Sequence, residues 1–111
     1  MTPEDITRQF VDAVNTGDVE ALVDLYEPDA VIAFPPGQIT QGHDAIRRLY
    51  EGMLEQQPHF KYEQPLTTLI SGDIALTATP AQDEAGVRAQ VVRKQPDGTW
   101  KRVLDRPDFT Q

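Results

Sequence analysis

The dipeptide Asp97-Gly98, set between two runs of strand-forming residues, constrains this chain more than any other feature. A two-residue hairpin of type I′ needs positive φ at both central positions, and Asp-Gly is among the few pairs that accept it. The flanking runs, Val87 to Gln95 and Thr99 to Asp108, are therefore read as adjacent antiparallel strands. Two further runs, Phe60 to Ser71 and Asp73 to Gln82, precede them, with Gly72-Asp73 between the two and Glu84-Ala85-Gly86 after the second. The second half of the chain is thus a meander of four strands. Pro65 and Pro80 mark edges or bends in it, because proline cannot donate to a ladder.

The first half has a helical period instead. Ile6, Phe10, Ala13 and Val14 fall on one stripe of a helix over 3–15, which Thr2 can cap and Pro3 can open. Gly17 breaks that helix, Asp18 caps a second over 19–27 with Leu22, Leu25 and Tyr26 inward, and Pro28 stops it. Ala30 to Phe34 is a short apolar run ending at Pro35-Pro36-Gly37, which reads as a buried strand. A third helix fits 43–56, with Ile46, Leu49, Tyr50, Met53 and Leu54 on its inner face. Helices gathered beside an antiparallel sheet give an α+β fold, and 111 residues suit a single domain over 1–111.

Composition removes several chemistries. The chain has no cysteine, which excludes disulfides and thiolate chemistry, and its two histidines stand sixteen residues apart without further ligands at metal-site spacing. No metal and no cofactor are expected, since there is also no Gly-rich phosphate loop. Ser71, the sole serine, lacks a nucleophile-elbow motif. A net charge of −8 opposes nucleic-acid binding, and no segment has the length of an apolar membrane span. The opening residues carry two acids and no apolar core of a secretory signal, so a cytoplasmic protein is expected. Charge is unevenly placed, with eight acids in residues 1–30 and six of the ten basic residues after residue 86.

The segment Val14-Asn15-Thr16-Gly17-Asp18-Val19-Glu20-Ala21-Leu22, continuing to Tyr26-Glu27-Pro28-Asp29-Ala30, resembles the opening of the SnoaL-like and ketosteroid-isomerase-like families. Gly42-His43-Asp44-Ala45-Ile46 and Gln95-Pro96-Asp97-Gly98-Thr99-Trp100 are similar to their later pattern. The resemblance implies the nuclear-transport-factor-2-like cone, a curved antiparallel sheet wrapped around three helices with an internal pocket. It also implies which catalytic positions are empty. The isomerases' oxyanion tyrosine falls on Phe10, their general base on Phe34 and their second oxyanion donor on Gln90. Phenylalanine neither gives nor takes a proton, so steroid-type isomerisation by that route is not expected.

Counting back from a two-residue turn pairs Pro96 with Thr99, Val92 with Val103 and Gln90 with Asp105, and directly opposed residues share a face. The resemblance turns that face inward, leaving Ala89, Val91, Arg93, Trp100, Arg102 and Leu104 on the sheet exterior, where a homodimer contact is expected. A one-residue slip or a bulge would exchange the faces. Asp105 is the candidate acid or base, beside the Gln90 amide, and an ion pair with Arg88 or Arg106 is its structural alternative. Tyr50 is the phenol best placed to meet a ligand, and Phe10, Val14, Phe34, Met53, Phe60, Val92 and Val103 are the expected pocket walls. The partner is expected to be a small apolar or carbonyl-bearing molecule. The open readings are a binding protein, an isomerase-, cyclase- or dehydratase-like enzyme using Asp105, and a dimerising module with a vestigial pocket.

Overall fold

In the computed structural model, which describes residues 2–80 and 86–108, the helical period of the first half and the strand pattern of the second segregate as expected. Helix α1 spans Asp5–Thr16 and buries Ile6, Val11, Ala13 and Val14. Its start is held by Asp5 Oδ2, which accepts from the Thr2 backbone N–H at 2.8 Å. Gly17 ends it in the left-handed conformation, φ 70°, which costs glycine little. Asp18 caps α2 (Val19–Asp24) by accepting from the Ala21 N–H at 3.1 Å. The third helix, α3, spans His43–Leu54.

Helix α2 is shorter than its pattern predicts, because Tyr26 opens a strand. Strand β1 runs Tyr26–Ile32 and lies parallel to β6, with Tyr26 opposite Arg102 and Ile32 opposite Asp105. Pro28, which cannot donate to a ladder, falls where the register shifts between Tyr26 and Val31. The remaining strands are β2 (Thr40–Gln41), β3 (Leu69–Ser71), β4 (Ile74–Thr79), β5 (Arg88–Lys94) and β6 (Trp100–Arg106). They form one sheet in the order β2-β1-β6-β5-β4-β3, antiparallel except for the β1–β6 pair, so the sheet is mixed. Residues 60–68, expected to open the strand Phe60 to Ser71, carry no regular secondary structure. The expected turn at residues 84–86 and the end of the second strand at residues 81 and 82 fall partly outside the described residues.

The last hairpin corrects the expected register. Asp97 has no positive φ, and only Gly98 does, at 86°. Gly98 N–H donates to Gln95 O at 2.9 Å and Gln95 N–H to Thr99 O at 2.7 Å, so the loop holds three residues, Pro96, Asp97 and Gly98. Proline supplies the fixed φ of a type I turn's first corner, and Asp97 Oδ1 accepts from both the Thr99 N–H and hydroxyl. The extra residue moves the pairing by one: Trp100 faces Lys94 and Arg102 faces Val92. A bulge at Val103 then restores the expected register, so that Leu104 faces Val91 and Asp105 faces Gln90. Trp100 and Arg102, expected on the exterior, are therefore both buried.

Two apolar clusters fill the space between helices and sheet. One gathers Ala13, Val14, Leu22, Val23, Tyr26, Ala30, Ile32, Ile46 and Tyr50, and the other Ile6, Ala75, Val92 and Trp100. The acidic first half and the basic hairpin meet within the chain where Arg93 Nε lies 3.0 Å from Glu27 Oε2.

Candidate functional site

Cross-strand partners share a face, and the register places two rows side by side on the helix-covered face of the sheet. One runs Ala75, Val92, Arg102, Tyr26 and the other Thr77, Gln90, Asp105, Ile32. Their polar members join. Thr77 Oγ1 donates to Gln90 Oε1 at 2.8 Å, and Gln90 Nε2 donates to Asp105 Oδ1 at 3.2 Å. The Tyr26 hydroxyl donates to Asp105 Oδ2 at 2.7 Å and lies 2.6 Å from the Tyr50 hydroxyl, which α3 brings down onto the sheet.

Proton direction follows from this geometry. With Tyr26 committed to the carboxylate, the proton of the Tyr26–Tyr50 bond comes from Tyr50, giving a chain Tyr50 to Tyr26 to Asp105. Burial, and then the negative charge of Asp105, push both phenols above their ordinary range, so they remain donors at neutral pH.

Arg102 completes the cluster with only 4% of its surface exposed. One guanidinium nitrogen donates to the Tyr26 hydroxyl at 3.3 Å and stands 3.7 Å from Asp105 Oδ2, an ion pair too long for a good hydrogen bond. Burial alone would lower the arginine's pKa, but Tyr26 and Asp105 outweigh it and raise it. The guanidinium carbon lies 5.0 Å from the centre of the Phe10 ring. Phe10 in turn meets Tyr50 edge-on at 5.9 Å and stacks on Phe60 at 6.1 Å. Asn15 pins Phe60 by accepting its backbone N–H and donating to its carbonyl, at 2.8 and 2.9 Å. Arg102 Nε is buried without a hydrogen-bond partner, the one such side-chain atom among the described residues.

Of the residues singled out from sequence, Asp105, Gln90 and Tyr50 meet in this cluster, and Phe10 covers it. The partner of Asp105 is Arg102, not Arg88, which pairs with Glu63 at 2.6 Å. Val14 and Val92 are packed inside the two apolar clusters. Met53 is half-buried against the first, and Val103 is half-buried at the bulge. Phe34 and Phe60 each keep 36% of their surface exposed. Thr77 and Arg102 are the members that the sequence did not single out, while Tyr26, expected inward on α2, enters from the start of β1. A three-residue reading of Pro96-Asp97-Gly98 would have turned Arg102 inward.

His43 Nε2 lies 2.8 Å from the Tyr26 carbonyl oxygen and steadies the start of β1. Among the described residues no group of three or more histidines, aspartates or glutamates is placed to hold a metal ion. Among the described residues, a surface groove of about 440 Å³ lies beside the start of α1 and residues 64–68, and another of about 240 Å³ lies over Leu69, Ile74, Leu76 and Val91. Neither includes a member of the polar cluster. No helix among the described residues is long and apolar enough to cross a membrane.

The SnoaL-like domain model matches residues 7–103, nearly the whole of this arrangement. The chain belongs to the SnoaL-like domain family. No curated protein matches it. Among solved structures, a ketosteroid-isomerase-like protein from Erwinia carotovora atroseptica is similar with a TM-score of 0.72 and 18% identity, over 97% of this chain and 94% of that one. A proposed dehydratase of the NTF2-like family from Streptomyces avermitilis is similar with a TM-score of 0.67 and 20% identity, over 95% and 93%. An NTF2-like protein with a cystatin-like fold from Novosphingobium aromaticivorans reaches 0.72 at 20% identity, over 93% and 76%. At these identities the likeness shows the fold, and the SnoaL-like chain shares it.

Proposed function

We propose that this SnoaL-like protein binds a small, mostly apolar molecule, whose body lies against Phe10, Phe34, Met53 and Phe60 and whose one polar group is met by the buried cluster. The observation that carries the reading is the position of the cluster. A charged pair and two phenols lie inside the helix-covered face of the sheet beneath stacked aromatic rings, an arrangement with apolar walls and a few convergent polar groups. Phe10 and Phe34, at the positions where the family resemblance would put an isomerase's tyrosine and base, have no proton to give, which favours binding over turnover. Thermal-shift measurements against steroids, aromatic polyketides and terpenoids test it. A rise in melting temperature with at least one class, diminished in a Phe10→Ala variant, is the expected result, and no shift with any class would count against a working pocket.

The ordered chain Tyr50, Tyr26, Asp105 favours one second reading, an isomerase- or dehydratase-like enzyme in which Asp105 takes up a proton. Formation of a conjugated enone from a β-hydroxyketone or a β,γ-unsaturated ketone, followed by absorbance, tests that reading. It requires turnover by the wild type that Asp105→Asn abolishes.

The same proposal includes a homodimer through the sheet exterior. Leu69, Leu76, Val91, Leu104 and Val31 are successive cross-strand partners, which draws one apolar row across five strands on the face without helices. Leu69 and Leu104 are about half exposed or more, at 62% and 49%, and so large a contiguous apolar row is uncommon on a monomer's surface.

A further inference from the structure

We propose that Arg102, through its unpartnered Nε–H, is the residue that binds the ligand's polar atom, and that Asp105 is a positioning residue that restricts the ligand to neutral molecules bearing an acceptor oxygen. The inference rests on the binding reading above and deepens it. Asp105 is already committed: its two oxygens accept from Tyr26 and from Gln90. Arg102 is not. A guanidinium presents five N–H donors, and this one makes a single long hydrogen bond, to the Tyr26 hydroxyl at 3.3 Å. A buried donor without an acceptor carries a desolvation cost that a ligand oxygen would remove.

The surroundings fix the ligand's chemistry. The guanidinium is laid on the Phe10 ring, so an oxygen at Nε belongs to a molecule whose body runs along the Phe10 and Phe60 wall. Phe60, its backbone held by Asn15, keeps 36% of its surface exposed and is the outer part of that wall. Asp105 at 3.7 Å cancels the arginine's charge, and the other two close groups are neutral phenols. An incoming carboxylate would leave the buried cluster with one uncompensated negative charge, whereas a carbonyl adds none.

Three probes with one aromatic body separate the possibilities: 2-acetylnaphthalene, 2-ethylnaphthalene and 2-naphthoate, titrated into the full chain by calorimetry, with the Arg102 Nε–H resonance followed by NMR. The ketone is expected to bind at least tenfold more tightly than the hydrocarbon and to move the Nε–H proton downfield. Arg102→Lys, which keeps the charge but not the Nε–H, is expected to erase that preference. Asp105→Asn, which leaves the arginine's charge uncancelled, is expected to turn selectivity from the ketone toward naphthoate, a change that a purely structural aspartate would not produce. Equal affinity for ketone and hydrocarbon, or an Nε–H resonance that does not respond, would overturn the assignment to Arg102 and leave the pocket reading standing. Naphthoate binding best to the wild type would overturn the role given to Asp105. Absence of binding by all three would overturn this inference together with the binding reading. The NMR measurement on the wild type decides the matter even if a variant fails to fold.

Discussion

Arg102 and Asp105, three residues apart on β6, turn their side chains into the same interior and stand 3.7 Å apart. Residues at that spacing on a regular strand point to opposite faces. The bulge at Val103 absorbs the odd residue and brings the cation under the helices beside the carboxylate.

Removing one member of such a pair leaves the other charge buried and uncompensated. Asp105→Asn is expected to lower unfolding free energy by about 3–5 kcal/mol in urea denaturation, and the neutral double variant Arg102→Met with Asp105→Asn to recover most of that loss. A double variant no more stable than Asp105→Asn would show that the two charges do not compensate each other.

Tyr26 and Tyr50 share a hydrogen bond but not a role. Tyr26→Phe takes a donor from Asp105 and an acceptor from both Arg102 and Tyr50, so it is expected to cost about 2–3 kcal/mol. Tyr50→Phe removes the terminal donor alone and is expected to cost about 1 kcal/mol. Denaturation curves of the two variants, side by side, check the order.

Both phenols have folded-state pKa values raised above the ordinary tyrosine value of about 10. The unfolded chain therefore loses these protons at lower pH than the native protein does. Stability from the two hydroxyls is full below about pH 10 and falls as pH rises toward their folded-state values. Ultraviolet titration of the native protein should show Tyr26 and Tyr50 ionising only together with unfolding, whereas Tyr62, exposed at the surface, ionises while the fold persists.

Gly98 holds the turn at a φ of 86°, where a Cβ is strained although no atom lies within 4 Å of it. Gly98→Ala is expected to cost about 1–2 kcal/mol, and Gly98→Asn less, because asparagine tolerates the left-handed region. Equal melting temperatures for alanine and asparagine would contradict a turn governed by φ.

Leu104 lies within the apolar row of the sheet exterior and touches no part of the buried cluster's hydrogen bonding. Leu104→Glu is expected to sediment as a monomer at concentrations where the wild type is a dimer, with its thermal-shift response per protomer intact. A wild type that is monomeric throughout would remove the proposed interface.

The sequence by itself determined the α+β class, the order of the helices and of every strand but the two-residue β2, and the inward stripes of α1 and α3. Those follow from local physics: a period of 3.6 or 2, caps such as Asp18, and φ demands at Gly17 and Gly98. What only the tertiary structure decided is how the interior is charged. Tyr26 reads as the last turn of a helix, yet it joins a strand because β6 offers it a parallel ladder. Arg102 reads as an exterior residue if Asp97-Gly98 is the whole turn, yet Pro96 lengthens the loop by one residue and Val103 takes the difference back. Two errors of one residue cancel at Asp105 and do not cancel at Arg102. A bulge has no local sequence signature strong enough to reveal this, because its position is set by what the sheet as a whole can pack.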